Sequence, residues 1–431
     1  MTAVVAPAAI EPASRLRGRL KLPADKSIGH RALIVNALSN GPATVTMRSP
    51  GLDLLSTVAC LRALGVMVAE EVHDGVATFT LSGRPTTDAT LDCSNSGTTM
   101  RLLAGAVAAL PLRVTLDGDA SLRSRPMERV ATVLRATGVD ATTTDGHAPM
   151  TVLGRRDLMA VGHTLPVASA QLLGAASLAA LGARGETRIE TPALTRDHTE
   201  RMLRAAGVAI RRDGLTTTVV GPARPRPLTM TVPGDISSAA PWLVAGAIHP
   251  DADITLLGAG LNPTRTTLVE VLRRMGAEID ISVTDEAGPE PTGDIRVRGG
   301  RPLSAVAIGG AAVPPLIDEL PLLAIAMAAA DGTSEVRDAR ELRVKESDRI
   351  AATVAGLRAI GADVEELPNG WRVSRGMPAE ARIATHGDHR IAIAFAVAAT
   401  AGVAKAVELD DPECVSVSYP GFWDDLATVT A

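Results

Sequence analysis

One pattern recurs along this chain and limits what it can fold into. Leu-Arg-x-x-Gly occurs at Leu61-Arg62, Leu134-Arg135, Leu203-Arg204, Leu272-Arg273 and Leu357-Arg358, closing on Gly65, Gly138, Gly207, Gly276 and Gly361. Apolar residues precede each glycine at helical spacing, as in Leu268, Val271, Leu272 and Met275. Each glycine therefore reads as the left-handed residue that ends a helix, where a Cβ would be penalised. Behind four of the copies, Asp74-Gly75, Asp145-Gly146, Asp213-Gly214 or Asn369-Gly370 stands between two alternating segments, which signals a hairpin. The remaining copy has a longer loop, from Asp285 to Gly293.

A second, Ala- and Leu-rich helix accompanies each copy, through 32–38, 100–110, 172–181, 239–248, 320–330 and 391–399, the last in a truncated repeat. Short β-rich pieces such as 43–46 and 253–256 separate the two helices. The repeat reads as βαβαββ, roughly 70 residues long and present six times. Six such units predict an α/β fold with buried helices packed behind sheets. The Pro-rich stretch 221–227 suits a crossing between domains, with three repeats on each side. Two pseudo-symmetric domains with a ligand cleft between them are the simplest assembly.

Composition narrows the function. Lys and Arg number 43 against 48 Asp and Glu, a net charge of −5, and aromatics make up 2%, so neither a basic footprint nor a stacking platform for nucleic acid is present. The 46% hydrophobic content excludes disorder, and Cys60, Cys93 and Cys414 form no CxxC pair. Cys93 reads as a small buried hydrophobe rather than a nucleophile. Residues 1–14 carry no Lys or Arg, and the apolar run 391–404 is shorter than the about 20 residues of a membrane span, so a cytoplasmic protein is expected.

The turn before each buried helix is polar: Asp25-Lys26-Ser27, Asn95-Ser96-Gly97-Thr98, Ser169-Ala170-Gln171, Gly234 to Ser238, Asp318-Glu319 and Gly387-Asp388-His389-Arg390. Taken singly these are helix caps. Converging, their free N–H groups would make an anion pocket. Lys26, Arg31, Arg125, Arg196, Lys345, Arg349 and Arg390 fall near the same turns, which favours a small substrate rich in phosphate or carboxylate. No P-loop and no GxGxxG after a strand point to a nucleotide, and His386 and His389 lack the neighbours of a metal site.

Longer motifs sharpen this. Leu22-Pro23-Ala24-Asp25-Lys26-Ser27-Ile28-Gly29-His30-Arg31 and Asn95-Ser96-Gly97-Thr98-Thr99-Met100-Arg101 resemble two signatures of the 5-enolpyruvylshikimate-3-phosphate synthases, within the enolpyruvyl transferase family. Arg125-Pro126-Met127, Ser169-Ala170-Gln171, Arg343-Val344-Lys345-Glu346-Ser347-Asp348-Arg349 and Asp388-His389-Arg390 complete the resemblance, which runs from Leu22 to Trp423. It implies an inside-out α/β barrel in two domains of three βαβαββ units each, with the chain crossing twice. Residues 23–230 would form the shikimate-phosphate side, and 1–22 plus 231–431 the domain completing the phosphoenolpyruvate site.

The implied reaction transfers the enolpyruvyl group of phosphoenolpyruvate to the 5-hydroxyl of shikimate 3-phosphate, with Lys26, Asp318 and Glu346 as catalytic groups. Lys26, Ser27, Arg31, Ser169, Ala170, Gln171, Arg196, Asp318 and Lys345 would hold shikimate 3-phosphate. Lys26, Asn95, Gly97, Arg125, Gln171, Arg349 and Arg390 would hold phosphoenolpyruvate. The resemblance implies no metal and no cofactor, a monomer, and glyphosate as a candidate inhibitor. Residues 165–171 and 195–200 look more like the glyphosate-tolerant class. Ala24, Gly29 and Ala170 depart from the usual residues, and no lysine stands in 416–420. Two other readings are weighed: a UDP-N-acetylglucosamine enolpyruvyl transferase, whose loop cysteine is absent from 119–126, and a non-catalytic sugar-phosphate-binding protein.

Overall fold

The computed structural model describes residues 9–431, which separate into two compact units, each with its own hydrophobic core. Unit I comprises 24–233 together with 286–290; unit II comprises the described residues up to 23, then 234–285 and 291–431. The chain passes between them at Pro23/Ala24 and Pro233/Gly234. The Pro-rich stretch 221–227, expected at the crossing, lies instead inside unit I. There Ala223 N–H donates to Leu181 O (2.9 Å) and Arg226 N–H to Ala206 O (2.8 Å). The segment 286–290, which the sequence reading placed with 231–431, belongs to unit I, where Glu290 Oε1 lies 2.8 Å from His198 Nδ1, both buried.

Six buried helices form the frame: Lys26–Ala37, Gly97–Ala108 and Ala170–Ala180 in unit I, and Ile236–Ile248, Leu320–Ala329 and His389–Thr400 in unit II. They are rich in Ala and Gly because they pack on helices and sheets at once. At Gly105 a Cβ would lie 2.3 Å from Ala175 O, so only glycine lets these two helices approach this closely. The outer Leu-Arg helices end as expected, with Gly65, Gly138, Gly207, Gly276 and Gly361 all at φ between 80° and 106°.

Among the described residues, five of the six sheets repeat one order: a strand parallel to the next, followed by an antiparallel hairpin. In the second repeat Ala89–Asp92 pairs parallel to Arg113–Asp117, which runs antiparallel to His147–Leu153. The first and fourth repeats exchange their leading strands. Leu16–Lys21 pairs with Ala252–Gly260 in unit II, and Met230–Thr231 with Ala43–Arg48 in unit I. Asp74-Gly75 and Asp145-Gly146 turn their hairpins with both residues at positive φ. Asn369-Gly370 does not: that turn lies on Pro368-Asn369, and Gly370 already pairs with Leu367. A Cβ on Gly370 would sit 1.9 Å from Val336 O, which explains the glycine.

The sixth repeat keeps only two strands, Glu380–Ile383 and Ala406–Leu409. Its missing hairpin is replaced by the helix Phe422–Thr430, which the sequence reading did not anticipate. Phe422 stacks on Trp242 (5.4 Å between centroids), and Trp242 Nε1–H donates to the Tyr419 hydroxyl (3.0 Å). Three of the chain's seven aromatic side chains thus close one end of unit II. Among the described residues no single helix is long and apolar enough to cross a membrane.

Candidate active site

Five of the six buried helices are capped by their own turn. Asp25, Ser96, Ser169, Asp235 and Asp388 accept from the N–H groups of Ile28, Thr99, Leu172, Ser237 and Arg390. These acceptors are therefore committed to structure. Ser169 keeps its hydroxyl proton available to an anion, since it accepts from Leu172 N–H (3.3 Å).

In unit I, Lys26 forms an ion pair with Asp53. Arg31 is 3% exposed and ties the first and third repeats together. Its Nε–H donates to Thr199 Oγ1 (2.7 Å), Nη1–H to Ser27 O (2.9 Å) and Nη2–H to Ala170 O (3.1 Å). Three expected ligands, Ser27, Arg31 and Ala170, are thus brought together. Burial lowers the Arg31 guanidinium to about 10, against the opposing pull of Glu200 and Asp25, so it stays charged at neutral pH. Arg196 adds a nearby positive charge that lowers Arg31 further.

Around the start of the Gly97–Ala108 helix, Asn95 Oδ1 accepts from Arg125 Nη2–H (2.5 Å) and its Nδ2–H donates to Asp119 (2.8 Å). Gln171 Nε2–H donates to Thr98 Oγ1 (2.8 Å), and its Oε1 accepts from Arg101 Nη1–H (2.6 Å). Asn95, Gly97, Arg125 and Gln171 therefore do gather. Arg101, which the sequence reading left without a role, stands among them, four residues beyond Gly97 and so on the same helical face. Burial, with Arg125 and Arg129 nearby, lowers its guanidinium to about 10. A Cβ on Gly97 would lie 3.0 Å from Arg101 Nη1 and 3.4 Å from Arg125 Nη1. Such crowding of like charges over helix N-termini is relieved by an anion.

In unit II the motif Arg343 to Arg349 precedes the helix Arg349–Ala359, which Asp348 caps by accepting from Ile350 and Ala351 N–H. Arg349, 1% exposed, is a hub for carboxylates. Its Nε–H donates to Asp388 Oδ2 (2.8 Å), its Nη2–H to Glu346 Oε2 (2.7 Å), and Asp318 lies 3.6 Å from Nη1. The resemblance assigns Arg349 to phosphoenolpyruvate; in this structure its guanidinium is occupied by those three carboxylates. Lys345 Nζ sits 3.0 Å from Glu341 and 3.8 Å from Asp318. Asp318, Lys345 and Glu346 are thus gathered around one buried guanidinium.

Burial pushes the Glu346 carboxyl up, but the Arg349 charge and a backbone N–H hold it below the usual range, so it rests ionised. Asp388 is likewise held low by Arg349 despite full burial. His389 is pushed down to about 3 by burial and by Arg390 and Arg349, so it is neutral. Arg390 is fixed at the helix start, its N–H donating to Asp388 Oδ1 (2.9 Å). The motif alone gives Asp388 no role; its N-cap position beside two basic residues is the sequence signal that marks it. Cys93 is fully buried and its thiol is pushed far up, first by its hydrogen bond with Cys60 and then by burial, which removes it as a nucleophile.

Repeated βαβαββ units with buried helices whose polar N-termini carry clustered cations and carboxylates define the enolpyruvyl transferase fold. The enolpyruvyl transferase NikO from Streptomyces tendae shares it, with a TM-score of 0.78 at 21% identity over 98% of this chain and 96% of that one. The family model for EPSP synthase (3-phosphoshikimate 1-carboxyvinyltransferase) matches residues 10–426, and the chain belongs to that family of transferases. Relatives called 3-phosphoshikimate 1-carboxyvinyltransferase are 45% identical in Herpetosiphon aurantiacus (97% of this chain, 98% of the relative) and 47% identical in Halorhodospira halophila (96% and 94%). The EPSP synthase of Acinetobacter baumannii superposes with a TM-score of 0.88 at 37% identity, over 98% and 97% of the two chains.

Proposed function

We propose that this chain joins the 5-hydroxyl oxygen of shikimate 3-phosphate to C2 of phosphoenolpyruvate while C3 gains a proton. The tetrahedral adduct then loses inorganic phosphate as C3 gives that proton back. Asp318 receives the hydroxyl proton and Lys26 assists the leaving phosphate. Glu346 handles the C3 proton in both directions. A carboxylate that rests ionised suits the elimination half, where a base removes that proton, and the same group delivers it in the addition half. The arriving anionic substrates raise its proton affinity for that step.

Lys26, Ser27, Arg31, Ser169, Ala170, Gln171, Arg196, Asp318 and Lys345 bind shikimate 3-phosphate. Lys26, Asn95, Gly97, Arg125 and Gln171, with Arg349 and Arg390, serve phosphoenolpyruvate. The observation that carries the reading is the hub at Arg349, which collects Asp318, Glu346 and Asp388 beside Lys345. The protein acts in the cytoplasm, a reading supported by three cysteines that are all free and buried, and it acts as a monomer. Glyphosate is a candidate inhibitor at the phosphoenolpyruvate groups, and residues 165–171 and 195–200 look more like the tolerant class. Incubation with shikimate 3-phosphate and phosphoenolpyruvate should release inorganic phosphate. Release with UDP-N-acetylglucosamine in place of the shikimate ester, or with neither acceptor, overturns the reading.

A further inference from the structure

The fifth repeat breaks the capping rule that the other five obey. Glu319 stands at the cap position of the Leu320–Ala329 helix, yet its side chain makes no cap hydrogen bond. It turns instead to the start of the neighbouring Ile236–Ile248 helix, where Ser237 Oγ–H donates to Glu319 Oε1 (2.6 Å). Arg265 completes the cluster: its Nη2–H donates to Ser237 Oγ (2.5 Å) and lies 3.4 Å from Glu319 Oε1 and 3.9 Å from Asp235 Oδ1. The side chains of Arg265 and Glu319 are 3% and 4% exposed. The loop presenting Arg265 is itself braced, since buried Asn262 accepts through Oδ1 from Thr264 N–H (2.8 Å) and Oγ1–H (2.7 Å), and Arg265 N–H donates to Asn262 O (2.8 Å).

Stability alone is a poor reason for this arrangement. A buried ion pair gains little over apolar packing, and a guanidinium beside two helix N-termini meets the wrong end of each dipole. What the cluster does is fix one peptide. Asp318 and Glu319 are adjacent, and their side chains engage different partners, Asp318 near Lys345 and Arg349, Glu319 on Ser237 and Arg265. Anchoring Glu319 sets the backbone from which Asp318 projects.

We infer that Arg265, Ser237 and Glu319 are positioning residues for Asp318, holding its carboxylate where the acceptor hydroxyl loses its proton. The inference rests on the role proposed for Asp318 above. Misplacing a reacting group by about 1 Å can cost about 10²-fold in rate, so the effect belongs in kcat. Ser237→Ala, Arg265→Ala, Arg265→Lys and Asp318→Asn are compared by phosphate release, with thermal melts to establish folding. Ser237→Ala and Arg265→Ala should lower kcat by about 10- to 100-fold with both KM values within about threefold of wild type. Arg265→Lys, which keeps the charge, should recover part of that loss.

Loss of kcat in Asp318→Asn with unchanged kcat in Ser237→Ala and Arg265→Ala overturns the inference alone, as does a loss confined to KM. A wild-type rate in Asp318→Asn overturns the role of Asp318 itself. If Arg265→Ala does not fold, Ser237→Ala, a small change, decides the question.

Discussion

Replacing Asp388 with Asn tests how far the unit II cluster depends on one buried carboxylate. Asp388 is fully buried and accepts from Arg349 Nε–H (2.8 Å) and Nη2–H (3.2 Å), Ser347 Oγ–H (2.9 Å) and Arg390 N–H (2.9 Å). An asparagine keeps the volume and one acceptor oxygen but removes the charge from a guanidinium that is itself 1% exposed. Breaking one partner of such a buried pair costs about 3–5 kcal/mol; Glu346 and Asp318 remain beside Arg349, so about 3 kcal/mol is expected. For a unit of this size that lowers Tm by about 6–12 °C, at about 2–4 °C per kcal/mol. The sign of the pH dependence follows. The Asp388 carboxyl is held below its unfolded value, so its contribution is present above about pH 4 and is lost as pH falls through the folded pKa. Melts from pH 7 down to pH 3 should show wild type converging on the variant in acid. A variant melting within about 2 °C of wild type at pH 7, or a gap that widens in acid, refutes the reasoning.

Glu346→Gln keeps the hydrogen bond to Arg349, and its side chain is 45% exposed. Stability should change by less than about 1 kcal/mol, while kcat falls by about 10²–10⁴-fold with shikimate 3-phosphate affinity preserved by calorimetry. Near-wild-type turnover would remove Glu346 from the chemistry. Arg125→Ala deletes one charge-assisted contact and should raise the KM for phosphoenolpyruvate by about 10- to 150-fold; a change only in the KM for shikimate 3-phosphate would reassign Arg125. Gly97→Ala places a methyl 3.0 Å from Arg101 Nη1 and 3.4 Å from Arg125 Nη1. It should raise the KM for phosphoenolpyruvate while leaving the melting temperature close to wild type, and unchanged steady-state kinetics would show that Gly97 is not a contact.

What could be read from the sequence was what local chemistry dictates. A glycine forced to positive φ at the end of a helix announces itself in any register, which is why Gly65 through Gly361 marked the repeats and their outer helices. Polar turns ahead of Ala-rich runs likewise located all six buried helices. Features decided by distant partners were hidden. Asn369-Gly370 looked like a turn because its glycine answers to a close carbonyl on Val336, which no local pattern reveals. Pro-rich 221–227 looked like a linker, yet its backbone is hydrogen-bonded into unit I. Within the candidate site, the motif residues were legible, but their pairings were not. Arg31 with Thr199, Arg101 with Gln171 and Arg265 with Glu319 join residues from separate repeats, and a spacing rule along one chain cannot see across repeats.

The exchanged leading strands have a consequence for how the chain is made. Leu16–Lys21 leaves the ribosome first, and its partner Ala252–Gly260 follows more than two hundred residues later. At about 5–20 residues per second, that strand waits for roughly ten to fifty seconds as an unpaired edge. Nearly all of unit I emerges in that interval as one continuous stretch and can fold in order of synthesis. The waiting strand, Leu16-Arg17-Gly18-Arg19-Leu20-Lys21, alternates its two core leucines with positions carrying three cations. Interleaved charge of that kind discourages pairing with a neighbouring nascent chain. Neutralising Arg17, Arg19 and Lys21 together should therefore lower soluble yield during expression far more than it lowers the melting temperature of the protein that does fold.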